Sequence, residues 1–323
     1  VSVVATADQI KMLIKSHFEN DEDRFKTLVL QLAAYEAKNG HQSFARDIRD
    51  LVEKSKVKTN VIPFNRKLDD LITTDLSEKK LVELVVSKDI KTRIERILLE
   101  YWQKDKLKKH GLKNRRKILL AGEPGTGKTL TASVLAGETN LPLCTIVMDK
   151  LVTKYMGETS VKLRQIFDFI SSNPAVYLFD EFDTIGTERS LDNDVGEIRR
   201  ILNSFLQFIE QDNSESIIVA ATNNPKLLDQ ALFRRFDDVI HYTLPCKEQI
   251  RRLIKNKIGR YKSKNLSLNK VVENADSLSH AEISMATNDA VKEAILLDLE
   301  SIDEDLLIKM IKERKAAYKR GDI

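Results

Sequence analysis

Short apolar runs separated by longer stretches of helical period organise the middle of the chain. Ile118 to Ala121, the segment near Cys144 to Met148, Ala175 to Phe179, Ile217 to Ala221 and Val239 to Leu244 are four to six residues long, a length that suits buried strands. Between them Leu130 to Leu135, Val161 to Phe169 and Glu197 to Ile209 carry helical spacing. That alternation predicts an α/β core of parallel strands with helices on both faces, over residues 81–245. Past Pro245 the pattern is helical only, at Glu248 to Lys257, Leu268 to Glu273, His280 to Leu297 and Glu304 to Tyr318. Residues 246–323 are therefore expected to form a separate helical lid and C-terminal helix.

The start of the chain differs. Ile10, Leu13, Ile14, His17 and Phe18 share one helical stripe, Phe25, Leu28, Val29 and Leu32 another, and Phe44, Ile48, Leu51 and Val52 a third. Residues 1–60 read as a small all-helical domain, a shape suited to docking a partner or substrate. The stretch 61–80, which contains Pro63, reads as a linker.

Composition narrows the class. With 42% hydrophobic and 32% charged residues and no run of about 20 apolar residues, a membrane span is not expected. Cys144 and Cys246 stand alone in their segments, which points to a reducing compartment, the cytoplasm. A net charge of +4 does not compel a nucleic-acid partner, and neither zinc-ligand spacing nor interleaved aromatics support one.

The candidate chemistry sits at the strand ends. Gly122-Glu123-Pro124-Gly125-Thr126-Gly127-Lys128-Thr129 follows the first core strand and opens a helix at Leu130, the strand, Gly-rich loop and helix context of a P-loop. Its glycines let backbone N–H groups face an anion, and the helix N-terminus adds positive potential. Lys128 is placed to reach the β and γ phosphates of a nucleotide, and the Thr129 hydroxyl to ligate Mg2+. Asp180, at the end of a second strand, is positioned to hold the metal, with Glu181 to polarise an attacking water. Asn223 ends a third strand, where its amide can orient that water. For Asp183 two readings stand, a subunit bridge or a solvated turn carboxylate.

In order, these segments resemble the classical AAA subfamily of AAA+ ATPases. Gly122 to Thr129 resembles Walker A, Val176 to Asp183 Walker B, and Ala221-Thr222-Asn223 sensor 1. Ala221 to Asp237 resembles the second region of homology of that subfamily. The resemblance implies an ATPase with ATP and Mg2+, working as a homo-oligomeric ring, usually a hexamer. It makes Arg234 and Arg235 arginine-finger candidates that complete a neighbour's site. It also makes Lys154-Tyr155-Met156-Gly157 a pore loop gripping extended polypeptide, with Thr187 to Asp194 a second pore loop. The approach from Leu107 to Lys113 is expected to border the adenine pocket, and Lys257 to fall near the ribose.

One departure stands out. His280-Ala281-Glu282 occupies a lid position where the family commonly has Gly-Ala-Asp. His280 either adds bulk near the base or fills the lid core. The expected function is ATP hydrolysis coupled to remodelling, unfolding or translocation of a protein substrate. The alternatives are a ring that switches a partner enzyme such as a protease, and a nucleic-acid-dependent ATPase.

Overall fold

The computed structural model describes residues 11–13, 15–16, 22–38, 41–42, 44–49, 70–151, 158–183, 195–225, 230–263 and 266–319. The chain divides into two compact units, residues 1–63 and 64–323. In the first, helix α1 (Glu22–Lys38) buries Ala33, and Ala45 is buried beyond it. The helical residues flanking α1 agree with a helical N-terminal region. Ile10, Ile14, His17, Phe18, Leu51 and Val52 of the expected stripes lie outside the described residues.

The second unit begins with β1 (Ile72–Asp75), a 3-10 turn (Leu81–Glu83), α2 (Lys88–Trp102) and α3 (Lys104–Lys109). An alternating series follows: β2 (Lys117–Gly122), α4 (Lys128–Thr139), β3 (Leu143–Ile146), α5 (Met148–Leu151), α6 (Glu158–Ser172), β4 (Val176–Phe179), α7 (Val195–Gln211), β5 (Ile217–Thr222), α8 (Gln230–Phe233) and β6 (Asp238–Tyr242). The six strands lie in the order β1-β3-β4-β5-β2-β6, with β1 antiparallel to β3 and every other pairing parallel. β2 lies between β5 and β6, so the chain reverses direction across the sheet on either side of it. The carboxyl ends of β2, β4 and β5 open on the crevice so formed, the usual ligand edge of such sheets.

Alternating side chains give the sheet two packed faces. Ile118 and Leu120 of β2, Leu178 of β4 and Val219 of β5 join Ile94 and Ile97 of α2 and Leu135 of α4 in one apolar cluster. On the other face Phe179 stacks with Phe167 of α6 and meets Phe205 of α7 edge-on at 5.1 Å between ring centroids.

Residues 61–80, read from sequence as a linker, contain the sheet's edge strand. Ile72 to Asp75 pair with Leu143 to Ile146. The residues after β1 pack on α4: Lys80 Nζ donates to the Gly137 carbonyl at 2.6 Å, and the Leu81 N–H to Glu138 Oε1 at 2.7 Å. A Cβ on Gly137 would lie 2.1 Å from the Lys79 carbonyl oxygen, so a glycine is needed for that approach. Only Ile72 of β1 is buried, which left no alternation to recognise.

After Pro245 come α9 (Lys247–Ile258), α10 (Asn269–Asn274), α11 (His280–Leu296) and α12 (Glu304–Lys319). They enclose a second core in which Leu253, Val272, Ile283, Ala290 and Ile311 pack together. Val85, from the segment before α2, belongs to this lid cluster, whereas its neighbour Leu84 belongs to the sheet cluster.

Candidate functional site

The loop from Gly122 to Lys128 carries the turn that glycine makes possible. Gly125 and Gly127 have φ of 72° and 105°, in the region L side chains rarely adopt. Gly125 also has no room for a side chain, since a Cβ would lie 2.6 Å from the Ser279 hydroxyl of the lid. There the Ala281 N–H donates to the Gly125 carbonyl at 2.9 Å, tying the start of α11 to the loop. Ser279 caps α11 and exchanges hydrogen bonds with Glu282, so the His-Ala-Glu departure keeps a working capping box.

Lys128 lies at the first turn of α4, and its Nζ donates to the carbonyls of Gly122 and Glu123, each at 2.8 Å. Burial pulls its pKa below the usual lysine value, while Asp180 and Asp183 act in the opposite direction. The Thr126 hydroxyl closes the loop by donating to the Glu123 carbonyl at 2.7 Å.

Facing the loop, Asp180 follows β4 and accepts the Thr129 hydroxyl proton on Oδ2 at 2.7 Å. Its other oxygen accepts the Glu181 N–H at 3.0 Å. Glu181 has φ of 51°, a left-handed backbone that costs a non-glycine residue energy. Two bonds hold this turn to the end of β5: the Phe182 N–H donates to the Ala221 carbonyl at 2.8 Å, and the Asn223 N–H to Asp183 Oδ1 at 3.2 Å. Three segments distant in sequence thus converge on one edge.

They line a cavity of about 810 Å³. Pro124 to Leu130, Asp180, Glu181 and Asn223 form one part of its wall; Val82 to Val85, Leu253, Asn256, Lys257, His280, Ala281 and Ser284 form the other. The volume falls within the range of small-molecule sites. Gly122 and Glu123 do not line it, and contribute the carbonyls that hold Lys128.

The oxygens at Thr129 and Asp180 fit a magnesium ion. They are hard donors in contact with each other, and Mg2+ usually takes only one or two protein oxygens, completing its shell with water and phosphate. Among the described residues no group of three or more His, Cys, Asp or Glu forms a self-sufficient metal cage.

Several expectations are revised by this geometry. The segment Leu107 to Lys113 does not border the cavity: Lys108 and Lys113 turn instead to Glu215 and Asn213, and Leu112 is exposed. The apolar wall comes from Val82 to Val85, part of the apolar stretch Leu81 to Val86 just before α2. Lys257 does line the cavity, with Asn256 beside it. His280 is in the wall at the start of α11, with the backbone of Val85 beside its ring and both ring nitrogens shielded from solvent. Leu253, Asn256 and Ser284 carry no sequence signal, because their role follows from where the lid folds back.

Arg234 and Arg235 do not line this cavity. Arg234 is exposed, and Arg235 Nε donates to Glu210 Oε2 at 2.9 Å. Lys154, Tyr155, Met156 and Gly157, the loop from Thr187 to Asp194, and Lys226 to Asp229 of the second homology segment lie outside the described residues.

Comparison with known proteins agrees with this arrangement. The sequence profile of the ATPase family associated with various cellular activities (AAA) matches residues 118–244. The chain is 31% identical over 311 residues to an uncharacterized AAA family ATPase of Sinorhizobium fredii, covering 93% of each protein. It is 34% identical over 188 residues to the proteasome-activating nucleotidase of Pyrococcus abyssi, covering 56% of this chain and 47% of that protein. It is 32% identical over 207 residues to an ATP-dependent zinc metalloprotease, FtsH 2, of a Thermoanaerobacter, covering 62% of this chain and 40% of that protein. The chain spans about half the length of these last two relatives or less. With a P-loop at the sheet's switch point, acidic and amide side chains at the ends of β4 and β5, a helical lid and near full-length similarity to an AAA ATPase, this chain belongs to the AAA family of ATPases.

Proposed function

We propose that Glu181 is the general base of ATP hydrolysis in this chain, and that hydrolysis drives a ring of identical copies to remodel a protein partner. The convergence of Lys128, Thr129, Asp180, Glu181 and Asn223 on one cavity carries this reading. Backbone N–H groups of the P-loop and the positive end of α4 receive the phosphates, and Lys128 leaves its carbonyl partners for the terminal phosphoryl oxygens. Thr129 and Asp180 hold Mg2+, which when bound neutralises charge on the phosphates. Glu181 accepts a proton from the attacking water, and Asn223 fixes that water's direction. Arg234 and Arg235 complete the site of the adjacent copy, where a guanidinium opposes charge building on the transferred group. Their position away from this chain's own cavity is consistent with that role.

Tyr155 and Met156 are proposed as the grip on polypeptide. A reading in which the ring instead controls a partner protease is favoured by the named role of the Pyrococcus relative, a proteasome-activating nucleotidase. The chain itself has no His-Glu-x-x-His sequence to cut peptides.

The experiment compares the unaltered chain with Glu181→Gln and Tyr155→Ala. Glu181→Gln is expected to bind ATP with near-normal affinity and lose hydrolysis by about 100-fold or more. Tyr155→Ala is expected to keep basal hydrolysis and lose unfolding of a tagged test protein. Normal turnover by Glu181→Gln overturns the base assignment. Intact unfolding by Tyr155→Ala favours the switching ring.

A further inference from the structure

Both ends of the P-loop are braced by one residue that does not reach the cavity. Tyr242, the last residue of β6, stands opposite Gly122 at the start of the loop. The approach is so close that a Cβ on Gly122 would lie 2.2 Å from the Tyr242 carbonyl oxygen. Its side chain runs to the other end, where the phenol oxygen lies 2.6 Å from Thr131 Oγ1. That hydroxyl donates to the Gly127 carbonyl at 2.9 Å, and the Thr131 N–H donates to the same oxygen at 2.9 Å. Thr131 and Tyr242 are both buried, and neither lines the cavity.

Chemistry fixes the direction of this relay. A carbonyl only accepts, so the single Thr131 hydroxyl proton goes to Gly127 and Thr131 Oγ1 is left to accept from Tyr242. Burial raises the phenol's pKa above its ordinary value, so Tyr242 keeps the proton that it donates. A hydroxyl that accepts one bond donates a stronger one, and Tyr242 therefore tightens the bond to Gly127.

Gly127 is where that bond matters. The peptide joining it to Lys128 is planar and trans, so the backbone N–H of Lys128 points away from the pinned carbonyl. That N–H has no acceptor within α4, since it belongs to the first turn. With the carbonyl held towards the helix, it faces out of the helix N-terminus, on the side where Gly127 and Lys128 line the cavity. Loosening the carbonyl lets the peptide plane tilt and the donor lose its aim.

We propose that Tyr242 is a positioning residue for phosphate binding: through Thr131 it pins the Gly127 carbonyl and so aims the backbone N–H of Lys128 at a phosphate in the loop. The proposal rests on the reading of the cavity as a nucleotide site.

Calorimetric titration with ADP and steady-state ATPase kinetics test it on Tyr242→Phe, which removes one hydroxyl and keeps the ring. Tyr242→Phe is expected to bind ADP about fivefold more weakly. Because a loop N–H holds phosphate alike in the ground and transition states, KM for ATP is expected to rise by a similar factor with kcat little changed. Thr131→Val breaks the relay in the middle and is expected to lose about tenfold in ADP affinity. Thr131→Ser keeps the hydroxyl and is expected to bind as the unaltered chain does. Adding Tyr242→Phe to Thr131→Val is expected to cost no further affinity, since the relay is already broken. Thermal unfolding without nucleotide identifies a variant that fails to fold; should Thr131→Val do so, Tyr242→Phe decides. Unchanged ADP affinity in Tyr242→Phe overturns the proposal, and a lowered melting temperature beside it marks the pair as structural only. A fall in kcat with KM unchanged, or additive losses in the double variant, also overturns it. If the unaltered chain binds ADP no better than Lys128→Ala, the nucleotide assignment itself fails and the proposal with it.

Discussion

Asp183 shows how much a single carboxylate does at this site. Its Oδ1 accepts the backbone N–H of Asn223, so the turn carrying Glu181 and the end of β5 are fixed to each other by a side chain with no need to touch substrate. A hydrogen-bond role predicts that Asp183→Asn, which keeps an acceptor oxygen, retains most of the turnover. Asp183→Ala, which has none, is expected to lower kcat by about tenfold with KM little changed. Equal losses in steady-state kinetics would show that charge matters instead, as a bridge to a neighbouring copy requires. The meeting of Lys128, Thr129, Asp180 and Glu181 at one edge was legible because the spacing of a P-loop and of strand-end acids is local. The partner of Asp183 was not, since it depends on β4 and β5 lying side by side, which no local pattern states.

At the scale of elements, the start of β2 and the end of α7 are joined by a buried ion pair. Arg116 donates to the Asp212 carboxylate and to its backbone carbonyl, and the two side chains are 9% and 2% exposed. Removing one partner leaves the other charged and unsatisfied, so Asp212→Ala is expected to cost about 3–5 kcal/mol in denaturant unfolding. Replacing both by apolar residues of similar volume is expected to recover most of that loss. The parallel strands were legible as short apolar runs, buried at nearly every position, and the lid helices as apolar stripes. The same pattern missed β1, whose single buried residue gives no period, and it set the wrong segment beside the cavity. Leu107 to Lys113 precedes the P-loop strand in sequence, but Val82 to Val85 reaches the cavity by folding under the lid.

For the whole molecule, acid sensitivity has an identifiable contributor. Lys104 and then Lys108 hydrogen-bond Glu215 and hold its pKa down to about 2, against an ordinary value of 4.5. A depressed carboxylate stabilises the fold above 4.5, and that stabilisation is lost as pH falls from 4.5 through 2. The pair is partly exposed, so the effect is screened by salt. Melting temperatures of the unaltered chain are expected to fall more steeply over that interval than those of Glu215→Gln, and the difference to shrink in high salt. No described helix is long and apolar enough to cross a membrane. The placement of Leu84 in the sheet's cluster and Val85 in the lid's means that two adjacent residues belong to different cores. During synthesis Val85 emerges before any strand from β2 to β6, yet its packing partners arrive only with the last helices. The lid core can therefore be completed only after its last helix is made, with residues 84–85 as the splice between the first and final stages of assembly.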